Sequence, residues 1–79
     1  MTEKQVRFCE EYVKTALESG EPNGAEAARR AGYSTNTAKG MAHQNLHESP
    51  EVRSVLARAL KKRRLPLDRF LKVLLDGKQ

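Results

Sequence analysis

Residues 24–43 hold the side chains whose types and spacing best suit chemistry, and that chemistry is recognition of a polyanion. Ser34, Thr35, Asn36, Thr37, Lys39 and His43 fall close together in the chain. An asparagine can pair with adenine through two hydrogen bonds, a threonine can touch a thymine methyl or a phosphate, and a lysine can reach guanine or phosphate. Arg29 and Arg30, just upstream, suit phosphates, which position a protein on a duplex without reading its sequence. Lys61, Lys62, Arg63 and Arg64, with Arg53 and Arg58, form a second basic cluster. It reads either as a flanking phosphate patch or as a solvated helix end. Were five phosphates neutralised, log affinity would fall with log salt at a slope of about −4.5, from about −0.9 per contact.

Catalytic patterns are missing. The sequence has no Gly-rich loop leading into Lys and Ser/Thr, as an ATPase would need. His43 and His47 are spaced to share a helix face, but Gln44 stands where a zinc-protease helix places its catalytic Glu, and Cys9 is the sole further soft ligand. The carboxylates are scattered rather than paired. The sequence therefore predicts no enzyme, no catalytic residue, no cofactor and no metal site. Cys9 sits among apolar neighbours and reads as a small buried hydrophobe. One cysteine rules out an intrachain disulfide and points to a reducing, cytoplasmic setting. No apolar run approaches the roughly 18 residues of a membrane span, so no membrane partner is expected.

Charge distribution says more than the net +5. Residues 1–28 carry three basic and six acidic side chains, whereas residues 53–72 carry eight basic residues against Asp68 alone. Such a gradient suits a polyanionic partner met by the middle and C-terminal parts of the chain.

The elements that must position these groups are helices. Thr2-x-x-Gln5 is a capping box, in which the hydroxyl takes the Gln5 N–H and the Gln5 side chain returns to the cap. Val6, Phe8, Cys9, Tyr12, Val13, Ala16 and Leu17 form a helical apolar stripe, so residues 3–18 read as a supporting strut. Residues 19–22, Ser-Gly-Glu-Pro, break it. Asn23 caps a second, alanine-rich helix that Gly32 ends. Ser34 is expected to cap a third helix over roughly 35–46, with Ala38, Met41, Ala42 and Leu46 inward. Ser49-Pro50 opens a fourth, cap followed by proline at the first helical position, with Val52, Val55, Leu56, Ala59 and Leu60 on one face. Pro66 starts a fifth, carrying Leu67, Phe70, Leu71, Leu74 and Leu75. Nothing alternates with period two.

The fold class predicted is therefore all-α: a small bundle of four to five helices containing a helix-turn-helix. Its second and third helices must cross closely over a short turn. Ala28 supplies the small side chain at the crossing and Gly32 the reversal, with Ala27, Ala31, Tyr33, Ala38 and Met41 along the seam. An ordinary helical hairpin is the plain alternative. Gly40, costly within a helix by roughly 1 kcal/mol, reads either as a point of close approach to a DNA backbone or as a tight helix crossing. Residues 1–64 form the expected DNA-binding domain. Residues 65–79 form a short amphipathic helix, either folded back on the core or the start of an oligomerisation region.

These residues resemble the N-terminal region of bacteriophage terminase small subunits. The resemblance runs through Thr2-x-Lys4-Gln5-x-x-Phe8 and Tyr12, then Ala25-x-Ala27-Ala28-x-x-Ala31-Gly32-Tyr33-Ser34-x-x-Thr37-Ala38, and on to Leu46 and Pro50-x-Val52. It covers residue 2 to about residue 60 and implies a subunit that binds the packaging-initiation site of viral DNA in the infected bacterial host. It also implies a partner, the terminase large subunit, which carries the ATPase motor and nuclease. Family members usually continue into long ring-forming helices, so this chain reads as a fragment or a short relative. Two other functions fit the same residues: a small helix-turn-helix transcription regulator, and a basic helical module that meets a protein or a membrane surface through residues 61–75.

Overall fold

The computed structural model describes residues 1–64, which form four helices: α1 (Glu3–Ser19), α2 (Gly24–Ala31), α3 (Ala38–Glu48) and α4 (Pro50–Lys62). Among the described residues there is no strand. The fold is the expected all-α bundle. The fifth helix expected from Pro66, with Leu67, Phe70, Leu71, Leu74 and Leu75, lies outside the described residues, as does the expected 65–79 segment.

Three helices start where local chemistry dictates. Thr2 Oγ1 accepts from the Gln5 N–H at 3.1 Å while Gln5 Oε1 accepts from the Thr2 N–H at 2.9 Å, completing the capping box. Asn23 Oδ1 accepts from the Glu26 N–H at 3.0 Å, and Ser49 Oγ from the Val52 N–H at 3.3 Å with Pro50 next in line. Two helices stop on glycine. Gly20 (φ 82°) and Gly32 (φ 108°) both take the left-handed conformation that a side chain resists, and both donate back to carbonyls of the preceding turn.

The third helix departs from expectation. It begins at Ala38 rather than at residue 35, and its cap position is Thr37, not Ser34. Ser34 Oγ pairs with Thr37 Oγ1 at 2.9 Å, and the Thr37 N–H closes a turn onto the Ser34 carbonyl at 3.1 Å. The Ser34 hydroxyl is thereby turned toward the Thr37 hydroxyl rather than standing at the cap position of a helix. Thr35, Asn36 and Thr37 are also poor helix formers, because their short polar groups compete for the backbone. The connection between α2 and α3 is accordingly a longer turn, residues 32–37.

The core gathers Phe8, Cys9, Tyr12, Val13 and Ala16 of α1, Ala27, Ala28 and Ala31 of α2, Ala38 and Ala42 of α3, and Val52, Leu56 and Leu60 of α4. Phe8 and Tyr12 stack obliquely with centroids 5.7 Å apart. Two members of the expected α1 stripe stay out of it: Val6 is 42% exposed and Leu17 55%. They border a shallow groove between α1 and α4, shared with Val13, Val55, Ala59 and Arg63. On α3, Ala38 and Ala42 are buried as expected, Met41 and Leu46 are only half-buried, and the polar Asn45 is buried beside them. Thr15 is a second buried polar residue. Its hydroxyl donates to the Tyr12 carbonyl at 2.7 Å and accepts from the Asn23 N–H at 2.9 Å, fastening the α1–α2 loop to α1.

α2 and α3 approach closely because both present small residues. A Cβ built on Gly24 would lie 3.2 Å from Ala42 Cβ and 3.4 Å from Leu46 Cδ1. Sequence spacing assigns the close crossing to Ala28, which is indeed buried, but gives no sign of Gly24. Gly40 lies elsewhere: a Cβ there would meet nothing within 4 Å. Among the described residues, then, no helix crosses closely at Gly40.

Candidate nucleic-acid interface

The turn and the outer side of α3 form one continuous exposed surface. Ser34, Thr35, Asn36 and Thr37 in the turn, and Lys39, Gly40 and His43 on α3, are all exposed, while Ala38, Ala42 and Asn45 face inward. Helical spacing places residues 39, 40 and 43 on one side of α3, and Asn36 lies in the turn that leads into it. His43 stacks on His47 with ring centroids 4.1 Å apart, extending the surface by one turn. Thr37 makes no side-chain cap bond, so the first N–H groups of α3 remain unspent by any cap, unlike those of the other three described helices. Uncapped N–H groups carry the positive end of the helix dipole and are suited to an anion.

Arg29 and Arg30 are exposed, yet their guanidinium groups are already engaged. Arg29 contacts Glu26 at 2.8 Å. Arg30 reaches three carboxylates: Glu18 at 3.1 Å, Glu26 at 3.1 Å and Glu11 at 3.5 Å. Hydrogen bonds donated by both arginines hold the Glu26 carboxyl below the ordinary glutamate range, and donating to Glu18 and Glu26 pushes the Arg30 guanidinium further toward its charged form. The acidic face of α1 thus binds part of the basic charge of α2. Spacing alone had no access to this, because Glu11 and Glu18 lie 19 and 12 positions from Arg30.

Arg53 is committed too. Its Nη1 donates to the His47 carbonyl at 3.1 Å, satisfying an orphan acceptor at the end of α3. Lys61, Lys62, Arg63 and Arg64 are exposed at the far end of α4. α4 starts beside the start of α1, where the Met1 ammonium lies 3.6 Å from Glu51. The turn lies at that same end of α1: Lys4 Nζ stands 5.3 Å over the Tyr33 ring. Thirteen residues of helix, about 20 Å at 1.5 Å each, therefore separate the two ends of α4. The residues singled out from sequence divide into three sets: a turn-and-α3 surface, an arginine pair clamped by glutamates, and a separate basic end of α4. The residues that sequence reasoning missed are supporting ones: Gly24, Thr15, Asn45 and Gln5 beyond its capping role.

Among the described residues no cluster of three or more His, Cys, Asp or Glu could hold a metal ion. Cys9 is buried, and desolvation together with nearby Glu10 pushes its thiol up to about 11. It is inert in the way expected of a core residue. Among the described residues, no helix is long and apolar enough to cross a membrane.

Among the described residues four helices form a bundle in which α2 and α3 are joined through a left-handed glycine and a longer turn, the later helix carrying an exposed polar face: the class is a small all-α helical bundle. The family model for the terminase small subunit matches residues 1–69, and the chain belongs to that family. Viral genome packaging and DNA binding follow from this membership. No curated protein and no solved structure matches the chain significantly.

Proposed function

We propose that this chain is the DNA-recognition part of a terminase small subunit, acting in the cytoplasm of the infected host. It recognises the packaging-initiation site and presents the DNA to the large ATPase and nuclease subunit, without catalysing a reaction itself. The observation that carries the reading is the exposed surface of Ser34, Thr35, Asn36, Thr37, Lys39 and His43, left uncapped and backed by a buried alanine face. In this reading the outer side of α3 enters the major groove. Asn36 and Lys39 read base edges, while Thr35, Thr37 and the first N–H groups of α3 hold phosphates. Gly40, which has none of the other described residues packed against it, lets the helix lie close to the duplex.

Lys61, Lys62, Arg63 and Arg64 grip the duplex backbone about 20 Å away along α4, and Arg29 adds a peripheral phosphate contact. Arg30 serves chiefly to hold α2 on α1. Self-association through Leu67, Phe70, Leu71, Leu74 and Leu75 belongs to the same proposal.

Fluorescence anisotropy with a duplex pool of about 30 base pairs tests it. Wild-type protein is expected to bind with a salt slope that flattens when residues 61–64 are replaced by alanine, by about 0.9 for each phosphate no longer neutralised. Asn36→Ala with Lys39→Ala is expected to weaken binding without altering helicity. Affinity unchanged by that pair would refute the proposed surface.

A further inference from the structure

Asn45 is the one buried polar side chain on α3. Its amide is used at both ends. Gln5 Nε2 donates to Asn45 Oδ1 at 3.3 Å, and Asn45 Nδ2 donates to the Tyr33 hydroxyl at 3.4 Å. Gln5 is itself fixed, since its Oε1 accepts from the Thr2 N–H in the capping box. Tyr33 lies in the turn, beneath the Lys4 ammonium. One side chain of α3 is thus tied to the first turn of α1 and to the α2–α3 connection at a single point.

We infer that Asn45, with Gln5 and Tyr33, is a positioning relay that sets the rotation of α3 about its own axis and thereby indexes its outer face. This inference rests on the DNA-recognition reading. The rest of the inner face offers little rotational control: Ala38 and Ala42 are smooth, and the larger Met41 and Leu46 are only half-buried. Asn45 lies two positions from His43, about 200° around the helix, so fixing the inside fixes the outside. A roll of about 20° would move a side-chain tip roughly 6 Å from the axis by about 2 Å. Hydrogen bonds to base edges tolerate only a few tenths of an ångström around roughly 2.9 Å. Phosphate attraction, being long-ranged, would hardly notice.

Asn45→Leu and Tyr33→Phe test the relay. Leucine keeps the branching and heavy-atom count of the side chain, the Gln5 and Tyr33 groups left behind sit near enough to the surface to meet water, and Tm checks that the fold is retained. Wild-type protein first selects preferred duplexes from a random pool of about 30 base pairs. The ratio of affinities for the selected duplex and the unselected pool is then measured for each variant. Asn45→Leu is expected to lower that ratio about tenfold, with affinity for the unselected pool within about twofold of wild type and Tm not reduced. Tyr33→Phe is expected to act in the same direction, and the double variant to be no worse than the worse single one, as for residues acting as one unit.

A wild-type ratio in Asn45→Leu overturns the relay. Should that variant also lose Tm, Tyr33→Phe, which removes a single oxygen, decides on the same criterion. If wild-type protein selects no duplex, the DNA reading fails on its own. The relay is then judged by amide hydrogen exchange. Faster exchange along α3 in Asn45→Leu at unchanged Tm upholds it, and unchanged exchange overturns it.

Discussion

α2 and α3 flank the same glycine, yet they are built in opposite ways. α2 is capped by Asn23, its two arginines are clamped by Glu11, Glu18 and Glu26, and its alanines are sealed against α1. α3 has no side-chain cap and exposes Lys39, Gly40 and His43, and Lys39 makes no ion pair among the described residues. In α2 polar groups are satisfied internally, which builds structure; in α3 they are left over, which leaves them for a partner. Basic residues adjacent in sequence can therefore do different work, and charge count does not reveal which.

The sharpest way to break this contrast is to compare stability with DNA affinity at matched positions. Phe8→Ala, at the fully buried centre of the supporting half, is expected to cost about 3–5 kcal/mol in urea denaturation, enough to unfold so small a domain. Gly32→Val forces a β-branched residue into φ 108° and is expected to cost roughly 1–3 kcal/mol, with the loss visible in the melting curve. Gly24→Ala drives a methyl to 3.2 Å from Ala42 Cβ, and about 1 kcal/mol of destabilisation is expected from that overpacking. Across the contrast, Arg30→Ala should lower Tm while Lys39→Ala leaves it within error, and only the latter should weaken DNA binding appreciably. The reverse pattern would undo the division of labour between the two helices.

Two titrations sharpen the comparison further. Glu26 has its folded carboxyl held low, so its ion pairs stabilise the domain above the ordinary glutamate range. That contribution is lost as pH falls through the lowered folded value. An acid-unfolding curve should therefore shift to higher pH in Arg30→Ala. Cys9, raised from 9.0 to about 11, works with the opposite sign. Its burial as a neutral thiol stabilises fully below about pH 9 and is lost as pH climbs toward about 11. Near neutral pH the folded protein holds about a hundredfold less thiolate than the unfolded chain, and labelling by a thiol reagent should report unfolding.

Much of the architecture is legible in local patterns. The capping box at Thr2, the caps at Asn23 and Ser49, and the stop at Gly32 are short-range events involving residues at most a few positions apart, so their signals lie within a helical turn. The start of α3 is not legible in this way, because Ser34 faces two bonding options, a backbone N–H or the Thr37 hydroxyl, and the sequence does not rank them. Periodicity anticipates the exposure of residues 34–37, 39 and 43; it does not anticipate the commitments of Arg29, Arg30 and Arg53. Asn45 is invisible for a related reason, as it occupies an apolar-looking slot filled by a polar residue whose partners lie 40 and 12 positions away.

By itself the sequence determined the four described helices, most of their ends and the family, because propensity, capping and short motifs act over a few residues at a time. Only the tertiary structure decided which cations are already paired, which glycine makes the close crossing, and what fixes α3 against α1. Those outcomes depend on groups brought within about 3 or 4 Å from distant parts of the chain, and distance in space is the quantity that a string of residues does not contain.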